Sequence, residues 1–300
     1  MELRQVLGNT YAAVGFNALI GIYRINKRDI VLLDTGLGRE DRQGLTELIE
    51  QNGFVPRGII CTHCHWDHTG NAAYLRRRYS SPIAAQLIEA GIGARPESYR
   101  ANYVAMTYAQ AQVRFEEDSF STDVIIGVTD DRLTFCGADF GVLQLPGHSA
   151  GQIGIITPDN VAYLADGLIG PALLASAKLP TSMSVRTDLA TKESLRSLHC
   201  DAYILAHKDV CTDIGELIDR NIAFYQEKAQ NVLSCLAAEM TLSQWLAAFS
   251  RKAGFRTKSS FKLGIIRRNF YGMVSYLEDT GQVAVRWEDC VKHYSPVTGD

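Results

Sequence analysis

Apolar and polar positions alternate through the first 35 residues as they do in antiparallel strands. Residues 17–25 carry apolar side chains at 18, 20, 22 and 25, and Ile30-Val31-Leu32-Leu33 is a buried strand that stops at Asp34-Thr35-Gly36. The period then changes: Leu45, Leu48 and Ile49 fall at helical spacing, acids occupy the first turn and Asn52-Gly53 ends the pattern, which predicts an outer helix over 40–51. A turn at Pro56 to Gly58 leads into a short apolar strand through Ile59, Ile60 and Cys61, with His63 at its exit. The same arrangement recurs. Residues 142–145 run into Pro146-Gly147-His148, residues 161–165 into Asp166, and residues 203–206 into His207. Five short strands thus end on carboxylates or imidazoles, and no internal repeat accounts for it. They read as strand ends gathered along one edge of a β-sandwich, where loops carry chemistry on a rigid scaffold.

Two stretches stand outside that pattern. Residues 86–120 are not needed to build a sandwich and read as a helical insert, with 96–118 rich in helix formers and Tyr99, Tyr103, Met106 and Tyr108 as its apolar or amphipathic positions. Those aromatics are either the packed face of a surface helix pair or a lid, in which case Tyr99, Tyr103 and Tyr108 touch substrate. The loop 168–185 is also apolar and carries Pro171 and Pro180, so a greasy mouth is expected on two sides. After His207 the chain turns helical. Leu217, Ile218, Ile222, Tyr225, Ala229, Val232, Leu233 and Leu236 keep helical spacing, Thr241-Leu242-Ser243-Gln244 is a capping-box signal, residues 260–277 read as a third helix, and a short strand follows at 282–287. The expected division is 1–210 and 211–300, the second part contributing shape and association rather than catalysis.

Composition narrows the class. Three hundred residues with 46% hydrophobic content can bury a full core, and a net charge of −3 offers no general attraction to nucleic acid or anionic membrane. No apolar run approaches a membrane span and the N-terminus lacks the clean apolar stretch of a secretory signal, so the chain reads as cytoplasmic. Seven cysteines over this length read as reduced thiols, with Cys61 and Cys64 spaced as a redox pair only by coincidence.

The chemistry concentrates in Thr62-His63-Cys64-His65-Trp66-Asp67-His68-Thr69-Gly70. In extended backbone His63 and His65 share a face and can grip one cation, while the following turn swings Asp67 and His68 toward a second position. Imidazole and carboxylate suit zinc, iron or manganese. His199 and His293 lack a strand-end context and read as ordinary histidines.

His-x-His-x-Asp-His followed by Gly resembles the signature of the metallo-β-lactamase superfamily. With Pro-Gly-His-Ser-x-Gly at His148, Ala-Asp-Gly at Asp166 and Ala-His at His207, the resemblance covers roughly residues 10–210. Ala165 and Ala206 are small departures. The resemblance implies an α/β, four-layer αββα fold and a hydrolase with two divalent metal ions, zinc first, iron or manganese as alternatives. It assigns His63, His65 and His148 to one metal, Asp67, His68 and His207 to the other, and Asp166 as the bridge. Asp67 and Asp166 are the expected catalytic carboxylates, and Asp34 is expected to hold a ligand imidazole from behind. Such a pair of cations makes a bridging water ionise near neutral pH, so hydrolysis needs no Ser or Cys nucleophile.

Three activities follow. Thr-His-x-His-Trp-Asp-His is similar to the glyoxalase II motif, which favours a thioesterase or related ester or lactone hydrolase acting on a small molecule with an apolar acyl part. Helix, helix, helix and β-wing after residue 210 resembles the winged-helix domain of some relatives, including an endoribonuclease branch. Residues 251–277 carry seven Lys or Arg and no acid, so nucleic acid is a second, less favoured partner. The plainer reading of that basic run is a solvated helix face. Thr-His-Cys-His-x-Asp-His is also similar to persulfide dioxygenases, whose single iron uses two His and one Asp. No membrane partner is expected, and a homodimer is compatible with the sequence.

Overall fold

The computed structural model describes residues 1–100, 105–207 and 209–297. Two sheets are built in sequence. The first runs in spatial order from Glu2–Leu7 (β1) through Thr10–Val14 (β2), Leu19–Arg24 (β3), Asp29–Leu33 (β4), Val55–Cys61 (β5) and Ile83–Gln86 (β6) to Val124–Ile126 (β7). Its first four strands pair antiparallel and the rest parallel. The second comprises Arg132–Phe135 (β8), Ala138–Gln144 (β9), Ile153–Ile156 (β10), Val161–Ala165 (β11), Ala202–Leu205 (β12) and Asp209–Cys211 (β13).

The apolar runs are buried on both faces because each sheet has a sheet on one side and helices on the other. In β4, Val31 and Leu33 join the core between the sheets while Ile30 and Leu32 join the core under the outer helices. In β11, Val161, Tyr163 and Ala165 face the first sheet and Ala162 and Leu164 face outward. This is the period of two expected of strands, used twice. Gly38–Gln51 (α1), Trp66–Thr69 (α2), Ala72–Tyr79 (α3), Leu87–Gly93 (α4), Pro96–Arg100 (α5) and Tyr108–Phe115 (α6) arise within the first half. Pro171–Ser176 (α7), Val185–Ser194 (α8) and Gly215–Leu233 (α9) follow, and Ile218 of α9 packs on the second sheet. The four-layer αββα architecture is therefore present.

Beyond it, Met240–Thr241 (β14), Leu242–Ala253 (α10), Ser260–Asp279 (α11), Val283–Glu288 (β15) and Val291–Pro296 (β16) surround Trp245, which is fully buried and donates its Nε1–H to Val232 O at 2.9 Å. The expected capping box at Thr241 and Gln244 is formed. One strand was expected after α11; there is a hairpin, turned at Asp289 and Cys290 with φ of 47° and 61°. Among the described residues no helix is long and apolar enough to cross a membrane.

The insert differs from its expectation. Residues 96–118 are not one helix but α5 and α6. Tyr99 is fully exposed to protein and not to solvent: 0% accessible, stacked on Phe115 with ring centroids 4.7 Å apart, its hydroxyl 3.3 Å from Thr69 Oγ1. A side chain so placed packs and cannot meet a substrate. Tyr108 is exposed and donates to Glu97 Oε1 at 2.6 Å, away from any ligand residue, and Tyr103 lies outside the described residues. The expected substrate contact of Tyr99 is thus corrected in favour of the packed face, and Tyr108 is not part of that face.

Candidate metal centre

Three of the strand exits turn sharply. Asp34, one residue past β4, has φ 64°, and Ala165, just before Asp166, has φ 48°, a left-handed conformation costing a non-glycine residue about 1–2 kcal/mol. Gly147 has φ 128° and a Cβ there would lie 2.3 Å from the Asp188 backbone, so only glycine lets the chain deliver His148.

The seven predicted ligand residues are brought together in two groups: His63, His65, His148 and Asp166 in one, Asp67, His68 and His207 in the other. His65 Nδ1 lies 3.0 Å from His63 Nε2 and 2.8 Å from His148 Nε2. Asp166 stands between the groups, with Oδ2 3.1 Å from His148 Nε2 and Oδ1 3.3 Å from both His68 Nε2 and His207 Nε2. His199 and His293 join neither group, as expected.

Backing groups aim the rings. Asp34 Oδ2 accepts from His68 Nδ1 at 2.8 Å, from Thr62 Oγ1 at 2.7 Å and from Tyr163 Oη at 3.0 Å, and Oδ1 accepts from the Thr62 backbone N–H at 2.8 Å. With its hydroxyl proton given to Asp34, Thr62 Oγ1 accepts from His63 Nδ1 at 3.2 Å. The Asn17 carbonyl faces His207 Nδ1 at 3.3 Å. Protons held at those three Nδ1 atoms leave the Nε2 lone pairs directed inward, the arrangement of metal-ligating histidines.

Electrostatics separate the two groups. Burial, then repulsion from neighbouring imidazoles, depresses the pKa of His63 well below its ordinary value, and His65 is likewise depressed by burial, His148 and Arg268. Burial also lowers His148. These three are neutral, as ligands must be. Burial opposes the charged form of His68, but Asp166 and Asp34 outweigh it and its pKa is raised; Asp166 likewise lifts His207 to about 9. Burial would raise Asp166, yet His207, His68 and His148 hold it well below the carboxylate range.

Two atoms test whether the site suits a cation. His68 Nε2 and Asp166 Oδ1 are buried without a hydrogen-bond partner, a cost of about 1–3 kcal/mol each. A divalent ion among these nitrogen and oxygen donors would satisfy both, and the donor set fits.

Sequence reasoning missed three residues. Asn17 donates to Asp67 Oδ2 at 2.7 Å. Arg268, from α11, places its guanidinium 3.2 Å from His65 Nε2. Glu89, inside the supposed lid, is fully buried and accepts from the Cys64 N–H at 2.7 Å, from Ser149 Oγ at 2.7 Å and from the Gly151 N–H at 2.8 Å. One carboxylate thereby ties the His63–His65 loop to the His148 loop. Glu89→Gln should weaken metal retention about 10–100-fold, the usual effect of losing a group that orients ligands, measured by competition with a chromophoric chelator.

The cavity over the donors measures about 260 Å³ and is lined by Asn17, Trp66, Leu173, Thr181, Ile265 and Arg268 in addition to ligand residues. Among the described residues its walls include Leu173 of α7 and Ile265 and Arg268 of α11 and none of the insert, so the part of the chain after residue 210 reaches the site. A larger open groove of about 1020 Å³ lies on the far side of Trp66 and contains no donor residue.

Residues 14–207 match the family described as the metallo-beta-lactamase superfamily. A hydroxyacylglutathione hydrolase of Shewanella pealeana is 30% identical over 139 residues, 46% of this chain and 41% of that protein, so the match spans less than half of that relative. The hydroxyacylglutathione hydrolase GloC of Haemophilus influenzae is 25% identical over 199 residues, 64% of this chain and 85% of the relative. Among solved structures, a beta-lactamase domain protein from Burkholderia ambifaria superposes with a TM-score of 0.70 at 13% identity over 99% of this chain and 94% of its own. A metallo-beta-lactamase family protein from Thermus thermophilus gives 0.67 at 17% identity over 93% and 94%.

Proposed function

Because the chain belongs to the metallo-beta-lactamase superfamily, we propose that it is a metal-dependent hydrolase of a small thioester, with zinc as the resident ion. The observation that carries this reading is Asp166, a buried carboxylate whose two oxygens face imidazoles of both donor groups. His63, His65, His148 and Asp166 would hold one cation and Asp67, His68 and His207 a second. When bound, such ions supply Lewis acidity to the carbonyl oxygen and acidify a water.

The protein's own groups do the rest. Trp66, Leu173 and Ile265 exclude solvent from the acyl part. Asn17 holds Asp67 through Oδ2, and Asp67 takes the proton lost as water adds to the carbonyl carbon. The C–S bond then breaks, giving a thiolate and a carboxylic acid, which releases its proton to solvent. Asp67 and Asp166 are the only carboxylates among the described cavity-lining residues, and an alkoxide leaving group would need one of them to return a proton to it. A thiolate leaves unaided, because a thiol has a pKa of about 8.5. This favours a thioester over an ester, lactone or phosphodiester, and the names of the Shewanella and Haemophilus relatives denote hydrolysis of a glutathione thioester.

The test is metal analysis of protein purified without added metal, joined to a screen of thioesters, lactones and single-stranded RNA. Two zinc ions per chain and thioester turnover are expected, with Asp67→Ala losing one ion. A single iron retained equally by the Asp67 variant would replace this reading with the dioxygenase one.

A further inference from the structure

Arg268 meets the metal site at an unusual atom. His65 points Nδ1 into the donor cluster, within 3.0 Å of His63 Nε2 and His148 Nε2, and turns Nε2 outward to Arg268 Nη1 at 3.2 Å. Without a cation the contact is an ordinary hydrogen bond: the guanidinium donates to the Nε2 lone pair and the ring proton sits on Nδ1. In that contact arginine can only be the donor, since it carries donors and no acceptor. A cation bound at Nδ1 displaces that proton to Nε2. Two N–H donors then face each other across 3.2 Å, and the bond is lost.

An acceptor oxygen placed between them would meet both donors. The cavity provides room for one beside the reacting centre: Arg268, His65 and Thr181 line it together with the apolar Leu173 and Ile265. The guanidinium is held in place from its own helix, Nε donating to Asn269 Oδ1 at 3.3 Å, while the side chain of Asn269 is itself buried and donates to Thr181 Oγ1 at 3.4 Å. The volume of about 260 Å³ suits a small acid and not a polynucleotide.

We propose that Arg268, together with the Nε2–H of metal-loaded His65, binds a carboxylate carried by the acyl part of the substrate, so that the preferred thioesters are those of short dicarboxylic acids. This rests on the thioesterase reading for the substrate, but the anion site itself does not depend on turnover.

The experiment uses the full chain loaded with zinc, as wild type and as Arg268→Gln, Arg268→Lys and Arg267→Gln, with metal content measured for each. Arg267 is exposed and serves as the charge control. Calorimetric titration with succinate should show binding that weakens about 10–100-fold in Arg268→Gln, the loss expected for a charge-assisted hydrogen bond, with partial retention in Arg268→Lys and none lost in Arg267→Gln. Equal affinity in wild type and Arg268→Gln, or no succinate binding to wild type, overturns the proposal. In parallel, the succinyl and butyryl thioesters of N-acetylcysteamine differ at one end by a carboxylate. Arg268→Gln should raise KM for the succinyl compound over the same range with kcat little changed, and leave the butyryl compound alone; equal effects on both compounds count against the proposal. If wild type hydrolyses neither thioester yet binds succinate through Arg268, the anion site stands and the thioesterase reading falls. Cleavage of single-stranded RNA that depends on Arg268, with succinate affinity unmoved, assigns the arginine to a phosphodiester and overturns the carboxylate.

Discussion

Asp166→Ala is expected to lower turnover by about 10³-fold or more and to leave the purified protein with at most one cation per chain. The size follows from position. Asp166 alone faces nitrogens of both donor groups, with His148 at 3.1 Å and His68 and His207 at 3.3 Å. Losing it removes several kcal/mol of charge stabilisation, and each 1.36 kcal/mol is a factor of ten in rate. Asp166→Asn keeps the shape and removes the charge, so it separates the two contributions. Metal analysis, steady-state kinetics and far-ultraviolet circular dichroism on both variants check the expectation. Two retained ions with near-normal rates would refute the bridging role. The alanine variant should also fold, because Asp166 sits at a strand exit and contributes nothing to the apolar cores.

Tyr99→Ala is expected to destabilise the protein by about 3–5 kcal/mol, the usual cost of emptying a buried aromatic site, and to lower the melting temperature by roughly 10 °C. Tyr99 is inaccessible to solvent, stacks on Phe115 and puts its hydroxyl against Thr69 Oγ1, which in turn donates to the His65 carbonyl at 3.3 Å. Tyr108→Ala, on an exposed ring, should stay within about 0.5 kcal/mol of wild type. Thermal melts read the pair, and kinetics on a thioester series add a control: neither variant should change the preference for acyl chain length. A length-dependent KM in either would return the insert to the substrate site.

The strands were legible because burial on two faces leaves unbroken apolar runs such as residues 30–33 and 161–165, and a polar residue directly after such a run has to sit at a sheet edge. That one rule placed Asp34, His63, His148, Asp166 and His207 before any geometry was known. Glu89 escaped it. It lies on α4, where a glutamate looks like any solvent-facing helix position, and only tertiary packing brings the Cys64, Ser149 and Gly151 donors to it. Arg268 escaped for the same reason, since one basic residue in a run of seven reads as surface and the contact spans 203 positions of chain. Tyr99 stood open between two readings. An amphipathic ring is compatible with a lid and with a core, and the sequence contains no signal that distinguishes them until the partner ring at Phe115 is placed.

Helix α11 lies entirely outside residues 14–207, yet Ile265 and Arg268 on it close the cavity over the donors. On the proposed reading, part of the substrate choice is therefore written outside the stretch that carries the ligating residues. If that reading holds, substitutions within a single turn of α11 should retune which acids are accepted while every ligating residue stays as it is. Divergence in this lineage should then run unevenly, slow at the strand exits and fast along the one helical turn from 265 to 268, and laboratory selection for new substrates has a four-residue library ready to hand.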